Sequence, residues 1–298
     1  MIKSDIFEKG MRNAVNKYYE QLMNFKGADE LKAVVKKWDT LSDNISKRAF
    51  DAPILLPDLF VYTRPGYGNT KLLTLLTDYL DSKQNLMSFY GDVKFFEFKL
   101  DYCKPGSNFQ ELYRLIESIE AAAGFRSEFK GLIRINVDEW VGHHKEKHFL
   151  DFLQFLQMNT SYWMIFLTIS DTLENDETKA MEAVVSMYLR VEKVTLYMPS
   201  NDDLIEFASE HLAKYGLELD DSAKKILSGA IDILRENKFF YGFHTITDLC
   251  SDIVYTLFSE SSSVGSVITA DMLSEFSADS EYIKRTARKI NKTATLGF

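Results

Sequence analysis

The sequence predicts an α/β domain with a five-stranded parallel sheet, followed by an all-helical C-terminal domain. Between residues 58 and 198, short apolar runs of strand length alternate with segments of helical periodicity. This alternation is typical of a parallel sheet with crossover helices. After Pro199, helical patterns follow one another without a convincing strand. The chain has 298 residues, of which 46% are apolar, and is therefore long enough for two domains with ordinary cores.

The elements of the α/β domain follow in order along the chain. Apolar residues at helical spacing predict an N-terminal helix within residues 1–26 and a second helix from Ala28 to Leu41. Short apolar runs predict the strands Leu59–Thr63, Val93–Leu100, Leu132–Asp138, Trp163–Ser170 and Lys193–Met198. Crossover helices are predicted at Thr70–Ser82, Phe109–Ala123 and His148–Met158. The α/β domain is therefore expected to occupy residues 27–198.

The C-terminal domain is expected to occupy residues 199–298. Ser200 and Asp203 have the spacing of a capping box, and Asp220 or Asp221 can cap the next helix. The predicted helices are Asp202–Tyr215, Ser222–Arg235, Thr245–Ser259 and Ala270–Ile290.

Charge and cysteine content disfavour several classes of protein. The chain carries 44 acidic and 35 basic residues, which gives a net charge of −9. This charge disfavours a general binder of DNA or RNA, because phosphate contacts need clustered basic residues. A basic cluster from Lys284 to Lys292 is interpreted as a solvated helix face. The two cysteines are far apart in sequence, which favours a reduced, cytoplasmic location. The longest apolar run, Tyr162–Ile169, is too short to span a membrane, and the charged N-terminal segment does not resemble a signal peptide.

The segment from Thr63 to Thr70 has the shape of a phosphate-binding loop in which two positions are altered. The P-loop pattern is glycine, four residues, then Gly-Lys-Ser/Thr. Here Thr63 replaces the first glycine and Asn69 replaces the lysine. Gly66 and Gly68 allow a tight turn, Thr70 supplies the hydroxyl that holds Mg²⁺, and the loop runs from a strand to a helix. The alternative is an ordinary β–turn–α connection.

A second motif, Asp138 followed by Glu139, ends the predicted strand Leu132–Asp138. An acidic pair at a strand end is the Walker B pattern, in which the aspartate orients Mg²⁺ and the glutamate activates the attacking water. The alternative is a solvated acidic strand end. The same strand carries Arg134, which we expect to pair with Glu97 on the neighbouring strand because a lone buried charge is strongly unfavourable.

With these motifs the chain resembles the AAA+ ATPase family from about Gly27 to Phe298. The resemblance rests on the phosphate-binding loop, the Walker B pair, the polar end of the strand Met164–Ser170 and the helical domain after Pro199. Within the family, the chain looks most similar to single-module bacterial proteins related to Rubisco activases and sporulation ATPases. The family implies the strand order 5-1-4-3-2, ATP or ADP with Mg²⁺ bound between the core and a helical lid, and ring assembly.

The resemblance also implies roles for individual residues. Ser170 corresponds to sensor 1, which orients the attacking water. Arg190 precedes the last strand, at the place of an arginine finger that acts on the nucleotide of a neighbouring subunit; the alternative is a surface arginine. Sensor 2 is normally an arginine. Here His244 takes its place, and histidine is a residue type that is mostly neutral at pH 7. The nucleotide contacts implied in this way are Arg64, Gly66, Tyr67, Gly68, Asn69, Thr70, Lys71 and His244, with Thr70 and Asp138 holding Mg²⁺ through the nucleotide.

Three departures from the family pattern, at Thr63, Asn69 and His244, weaken the same phosphate site. A hydrogen bond to a charged group contributes about 1.5–3 kcal/mol, so losing one weakens binding roughly 10- to 150-fold. Hydrolysis suffers more, since cationic contacts on the transferred phosphoryl group contribute about 10³–10⁵ in rate when an arginine finger is taken as the test case. We therefore expect ATP binding to be weak or absent and turnover to be very slow. Arg64 offers one route to compensation, in which its guanidinium reaches back over the phosphates.

The favoured hypothesis is an AAA+ pseudo-ATPase, a regulatory or structural subunit that acts through a protein partner or through self-association. One alternative is a working ATPase that remodels a protein partner, with Glu139, Ser170 and Arg190 as catalytic residues. A second alternative is a DNA-associated AAA+ protein, which the acidic charge disfavours. The sequence leaves ATPase activity open.

Overall fold

The computed structural model describes residues 17–48, 56–83, 86, 95–102, 117, 131–159, 163–173, 175–237, 240–260 and 265–293. The contacts divide the chain into two compact units. The N-terminal unit consists of Met1–Arg64 with Asn69–Leu196, and the C-terminal unit consists of Pro65–Gly68 with Tyr197–Phe298. Four loop residues therefore group with the C-terminal helices rather than with the strand that precedes them.

The N-terminal unit contains a parallel sheet and the helices that connect its strands. The strands are β1 (Asp58–Thr63), β2 (Phe95–Lys99), β3 (Gly131–Asn136), β4 (Trp163–Ser170) and β5 (Val191–Thr195). The helices are α1 (Asp29–Ser46), α2 (Asn69–Ser82), α3 (Lys147–Asn159) and α4 (Asn175–Tyr188), with a further helical segment at residues 17–23 and a 3₁₀ turn at Asp138–Trp140.

The five strands are parallel, and their order across the sheet is β2-β3-β4-β1-β5. This is the predicted order 5-1-4-3-2 read from the other edge, and the predicted fold class is confirmed. In the register of the sheet, Thr63 of β1 lies beside Ser170 of β4. Because all strands run the same way, the carboxyl ends of β1, β3 and β4, which carry the sequence motifs, meet at one edge of the sheet.

One face of the sheet packs against α3 and α4 through a single apolar cluster. Its buried side chains include Phe60, Ile133, Ile135, Ile165, Leu167 and Ile169 from the strands, Phe149, Phe152 and Leu156 from α3, and Met181 and Val185 from α4. The strand residues that alternate with these, such as Leu59 and Phe166, are buried as well. The central strands β1 and β4 are therefore covered on both faces, as is usual in a parallel sheet.

Several predicted elements differ in extent from the observed ones. Strand β3 ends at Asn136, so that the acidic pair lies in the following 3₁₀ turn rather than in the strand. Strand β5 begins two residues earlier than expected and ends at Thr195. Helix α4 was not among the predicted helices. The predicted helix Phe109–Ala123 falls, apart from residue 117, outside the described residues.

The C-terminal unit is helical. Its helices are α5 (Asn201–Ala213), α6 (Asp221–Arg235), α7 (Phe243–Glu260) and α8 (Glu281–Thr293), with a 3₁₀ helix at Asp271–Phe276. The predicted capping box of Ser200 and Asp203 is present, and Asp220 caps α6 by accepting from the Ala223 N–H.

Two details of the C-terminal unit depart from the prediction. The predicted single helix Ala270–Ile290 is wrong, because the chain breaks between the 3₁₀ helix and α8, where the Ser280 hydroxyl accepts from the Ile283 N–H. A two-residue parallel ladder also joins β6 (Glu218–Leu219) to β7 (Val267–Ile268), which the all-helical prediction did not include. None of the helices in the described ranges is long and apolar enough to cross a membrane.

Candidate functional site

The loop between β1 and α2 has the backbone of a tight turn. Gly66 and Gly68 adopt φ values of +89° and +79°, a conformation that glycine enters without the steric cost of a side chain. The loop follows β1, in which every residue except Tyr62 is buried, and leads directly into α2, whose first residue is Asn69. The strand–loop–helix context expected for a phosphate-binding loop is therefore present.

The side chain of Asn69 is used inside the loop. Its Oδ1 accepts a hydrogen bond from the Thr63 Oγ1 at 2.8 Å, and its Nδ2 donates to the backbone oxygen of Arg64 at 3.1 Å. The two residues that depart from the P-loop pattern, Thr63 and Asn69, are thus hydrogen-bonded to each other. Together they close the base of the loop at the position where the pattern places a cation.

The loop backbone keeps donors that suit a phosphate group. Among the described residues, the backbone N–H groups of Gly66, Gly68, Asn69 and Thr70 donate to no backbone oxygen of a turn or loop. The first N–H groups of a helix have no partner within the helix and favour anions. The donor set therefore fits a phosphate held by backbone N–H groups, while Asn69 supplies no charge to it.

The two basic side chains near the loop are placed differently. The Arg64 Nε donates to Asp171 Oδ1, next to the candidate sensor residue Ser170, and both side chains of this ion pair are partly buried. Lys71 is exposed in the first turn of α2. The guanidinium that offered one route to compensation for the missing lysine is thus paired with a carboxylate.

Thr70 and Arg134 meet at the same carboxylate. Arg134 Nη1 donates to Glu97 Oε1, and the two residues lie directly opposite each other in the register of β2 and β3. The predicted pair of Arg134 with Glu97 is confirmed. The Thr70 hydroxyl donates to the other oxygen of Glu97 at 3.3 Å, a contact that the sequence did not predict.

Asp138 and Ser170 are brought together at the ends of β3 and β4. Asp138 Oδ1 accepts from the Ser170 backbone N–H at 2.6 Å. The Ser170 hydroxyl lies 2.8 Å from the Thr172 hydroxyl. The candidate magnesium-orienting aspartate and the candidate sensor residue thus form one local arrangement.

Glu139 is held by residues at the end of β2. Its two oxygens accept from Lys99 Nζ and, at 2.9 Å, from the Tyr102 backbone N–H. These hydrogen bonds, that from Lys99 being the stronger, lower the pKa of Glu139. Lys99 was not among the predicted site residues, although its position at the end of β2, next to β3, places it beside the acidic pair.

Arg190 and His244 are both exposed residues. Arg190 is exposed immediately before β5, and its backbone oxygen accepts from the Asp58 N–H at 2.9 Å. His244 lies in the first turn of α7, where 69% of its side chain is exposed and its Nε2 is 3.8 Å from Asp248 Oδ2. Neither residue contributes a buried positive charge.

Within the residues that the structure describes, no group of three or more His, Cys, Asp and Glu side chains is arranged to hold a metal ion. The Thr70 hydroxyl and the Asp138 carboxylate have the chemistry to hold Mg²⁺, which commonly binds through one or two carboxylates together with substrate phosphates. In the described part of the C-terminal basic cluster, the basic side chains contact residues close to them in sequence. Lys284 Nζ donates to the Asp279 backbone oxygen, and Arg285 Nε lies 3.8 Å from Glu281 Oε2.

Comparison with solved structures shows that the chain has the AAA+ P-loop NTPase fold. An arginine-to-alanine variant of RuvB from Thermotoga maritima, a Holliday junction branch migration motor, matches with a TM-score of 0.51 and 13% identity over 93% of this chain and 80% of that chain. A proline-to-glycine variant of the same motor matches with a TM-score of 0.50, 13% identity and the same coverage. PCH-2 from C. elegans gives a TM-score of 0.49 and 13% identity over 93% of this chain and 73% of that chain. No protein-family model and no curated protein matches the sequence.

Proposed function

We propose that this chain is a nucleotide-binding protein of the AAA+ type that holds ATP or ADP weakly and hydrolyses it little or not at all. The observation that carries the proposal is the engagement of both ends of the Asn69 side chain inside the loop. The position at which a P-loop presents a cation to the β- and γ-phosphates presents none here. Thr63, at the other altered position, stabilises this arrangement.

Nucleotide binding in this proposal depends on the backbone. The N–H groups of the loop and the N-terminal end of α2 favour a phosphate group without any side-chain charge. Losing one hydrogen bond from a charged group weakens binding roughly 10- to 150-fold. Thr70 and Asp138 would hold Mg²⁺, which neutralises phosphate charge when it is bound with the nucleotide.

Slow or absent hydrolysis is supported by two side chains near the loop. Glu139 is tied to Lys99 and to the Tyr102 N–H, and its lowered pKa makes it a weaker general base. Arg64 is neutralised by Asp171. Both groups would have to leave their present partners before they acted on a phosphate or on an attacking water.

A subunit of this kind acts through protein contacts, either with a protein partner or with further copies of itself. Arg190 is exposed directly before β5 and is therefore accessible to a neighbouring copy. The cytoplasmic location included in the proposal rests on the cysteine content alone.

One observation favours a second candidate, a working ATPase that remodels a protein partner. The contact of Asp138 with Ser170 keeps two parts of a catalytic arrangement together. In that case Glu139 would exchange its contacts with Lys99 and Tyr102 for a water molecule during the reaction.

Phosphate release and ATP titration separate the two candidates. The parent chain and Glu139→Gln are compared for phosphate release from ATP·Mg²⁺, and the parent is titrated with ATP·Mg²⁺ by calorimetry. We expect weak binding and equal, near-background release from both chains. Turnover in the parent that disappears in Glu139→Gln would establish the working ATPase instead.

A further inference from the structure

The Thr70 hydroxyl contacts a neighbouring strand rather than its own helix. A threonine hydroxyl in a helix often donates to the carbonyl oxygen four residues earlier, and two other threonines of α2 do so. The Thr74 hydroxyl donates to the Thr70 oxygen at 2.9 Å, and the Thr77 hydroxyl donates to the Leu73 oxygen at 3.0 Å. The Thr70 hydroxyl instead donates to Glu97 Oε2 on β2 at 3.3 Å. Its proton therefore has an acceptor outside the helix.

Glu97 is held in place by a cation on the next strand. Arg134 Nη1 donates to Glu97 Oε1, and the two residues lie opposite each other in the register of β2 and β3. The Arg134 side chain is 20% exposed and the Glu97 side chain is 32% exposed, so solvent screens the pair less than it screens a fully exposed pair. Glu97 thus presents one oxygen to Arg134 and the other to Thr70.

This contact leaves the Thr70 oxygen free to hold a cation. A threonine hydroxyl has one proton and two lone pairs, and an oxygen ligand binds Mg²⁺ through a lone pair. A carboxylate only accepts hydrogen bonds, so it takes the proton without using a lone pair of the hydroxyl. The acceptor is Glu97 rather than Asp138, whose Oδ1 accepts from the Ser170 N–H at 2.6 Å.

We propose that Glu97 is a positioning residue of the phosphate site, which orients the Thr70 hydroxyl for Mg²⁺ bound with a nucleotide. Arg134 holds Glu97 in this position. Because the Arg134 cation balances the Glu97 charge, the pair adds no net charge to the site, and its effect on Mg²⁺ passes through Thr70. The role rests on the proposed nucleotide-binding function; the contact of Thr70 with Glu97 does not.

Two substitutions of Glu97 break the contact in different ways. In Glu97→Gln, Arg134 takes the amide oxygen, so the amide NH₂ group faces Thr70 and donates to it. The hydroxyl then spends a lone pair on the amide. Glu97→Asp keeps the charge, but its shorter carboxylate is held by the stronger, charge-assisted bond to Arg134 and no longer reaches Thr70. The matched control is Glu192→Gln on β5, because Glu192 is also paired with a lysine and its side chain is 28% exposed.

The first experiment compares ATP binding with and without Mg²⁺ by calorimetric titration. For each chain, the magnesium effect is the dissociation constant in EDTA divided by the dissociation constant with Mg²⁺. We expect this effect to be about 2- to 10-fold smaller in Glu97→Gln and in Glu97→Asp than in the parent, which is the range for one hydrogen bond. Glu192→Gln should keep the effect of the parent, and Thr70→Val, which lacks the hydroxyl, should show the smallest effect.

The outcomes separate the positioning role from the proposed function. A magnesium effect that is unchanged in both Glu97 variants overturns the role, as does one that falls in Glu97→Gln but not in Glu97→Asp, because charge alone would then be responsible. A parent chain that binds ATP equally well with and without Mg²⁺ also overturns the role. In each of these cases the proposed function stands. A parent chain that binds no ATP overturns the role together with the proposed function.

The second experiment tests the contact itself, without nucleotide. Urea unfolding is measured for Thr70→Val, Glu97→Asp and the double variant, since valine has the shape of threonine without the hydroxyl. Both single changes remove the same hydrogen bond, so the unfolding equilibrium constant of the double variant should depart about 2- to 10-fold from the product of the two single effects. Single effects that simply multiply overturn the contact, and the positioning role with it.

Discussion

Asp58 gives the protein a stability that depends on pH, and replacing it with asparagine exposes this dependence. Asp58 begins β1, is only 5% exposed, and accepts a hydrogen bond from the Ile165 N–H at 2.7 Å. Burial raises the pKa of Asp58 to about 7 from an ordinary value of 3.8, against the opposing effect of the Ile165 hydrogen bond. Between these two values the folded chain holds a proton that the unfolded chain has lost.

The sign and size of the effect follow from this difference. Stability from Asp58 is fully present below about pH 4 and is lost as the pH rises through 7, and the whole change amounts to about 4 kcal/mol. Between pH 5 and pH 8 the expected loss is about 2–3 kcal/mol. The Asp58→Asn variant keeps a side-chain oxygen as acceptor but carries no charge at any pH. Its stability relative to the parent should therefore rise by about 2–3 kcal/mol from pH 5 to pH 8.

Urea unfolding followed by tryptophan fluorescence measures the stability of the N-terminal unit, in which Asp58 lies. The three tryptophans of the chain, Trp38, Trp140 and Trp163, are all buried in the N-terminal unit, which also contains Asp58. Asp176→Asn, at an exposed position of the same unit, is the control and should differ from the parent by a constant amount. Parallel pH profiles for the parent and Asp58→Asn would refute the reasoning.

Two further predictions concern pairs of residues at the sheet edge, and both are measured by urea unfolding. In a double-mutant cycle, Thr63→Val and Asn69→Ala should show a coupling energy of about 0.5–1.5 kcal/mol, because each removes the same hydrogen bond; additive effects would contradict the contact. Arg134→Met should destabilise the N-terminal unit by about 1–3 kcal/mol because it leaves the Glu97 carboxylate without its cation. Adding Glu97→Gln should recover much of that loss, and an unchanged or larger loss would show that the pair is not the cause.

The sheet could be predicted from the sequence because its central strands β1, β3 and β4 are mostly buried. Strand β4, from Trp163 to Ser170, is almost entirely apolar and was predicted with the observed bounds. The pair of Arg134 with Glu97 followed from the same burial, since a charge within an apolar strand needs a partner on the neighbouring strand. Residues of buried strands can thus be predicted because burial restricts them to apolar or paired side chains.

Elements with little buried surface were harder to predict. Helix α4 buries few apolar residues, of which Met181 and Val185 belong to the core cluster, and its first turn is acidic. A weak apolar stripe gives a weak periodic signal. The break before α8 does have a local signal in the sequence, which the prediction of a single helix did not use. Serine is a favoured N-cap residue, and Ser280 lies three positions before Ile283, from whose N–H its hydroxyl accepts a hydrogen bond.

The hydrogen bonds and close contacts within the candidate site depend on the folded shape of the loop, which the sequence does not reveal. Thr63 and Asn69 are six positions apart, and only the closed shape of the loop brings their side chains within 2.8 Å. Gly66 was explained by the tight turn, so nothing in the sequence indicated its contact with Tyr241 and Phe243, far along the chain. Each altered residue was recognised from the motif, but the partner that it acquires was not.

The most direct test of the central claim restores the two altered loop positions together. Thr63→Gly with Asn69→Lys should bind ATP·Mg²⁺ roughly 10- to 150-fold more tightly than the parent in calorimetric titration, because a charge-assisted contact is regained. Asn69→Lys alone should gain less, since it removes the hydrogen bond that the Thr63 hydroxyl donates to Asn69 and keeps the Thr63 side chain in the loop, and the uncharged Asn69→Met should gain nothing. A parent chain that binds ATP·Mg²⁺ as tightly as the double variant would contradict the claim that the phosphate site lacks its cation.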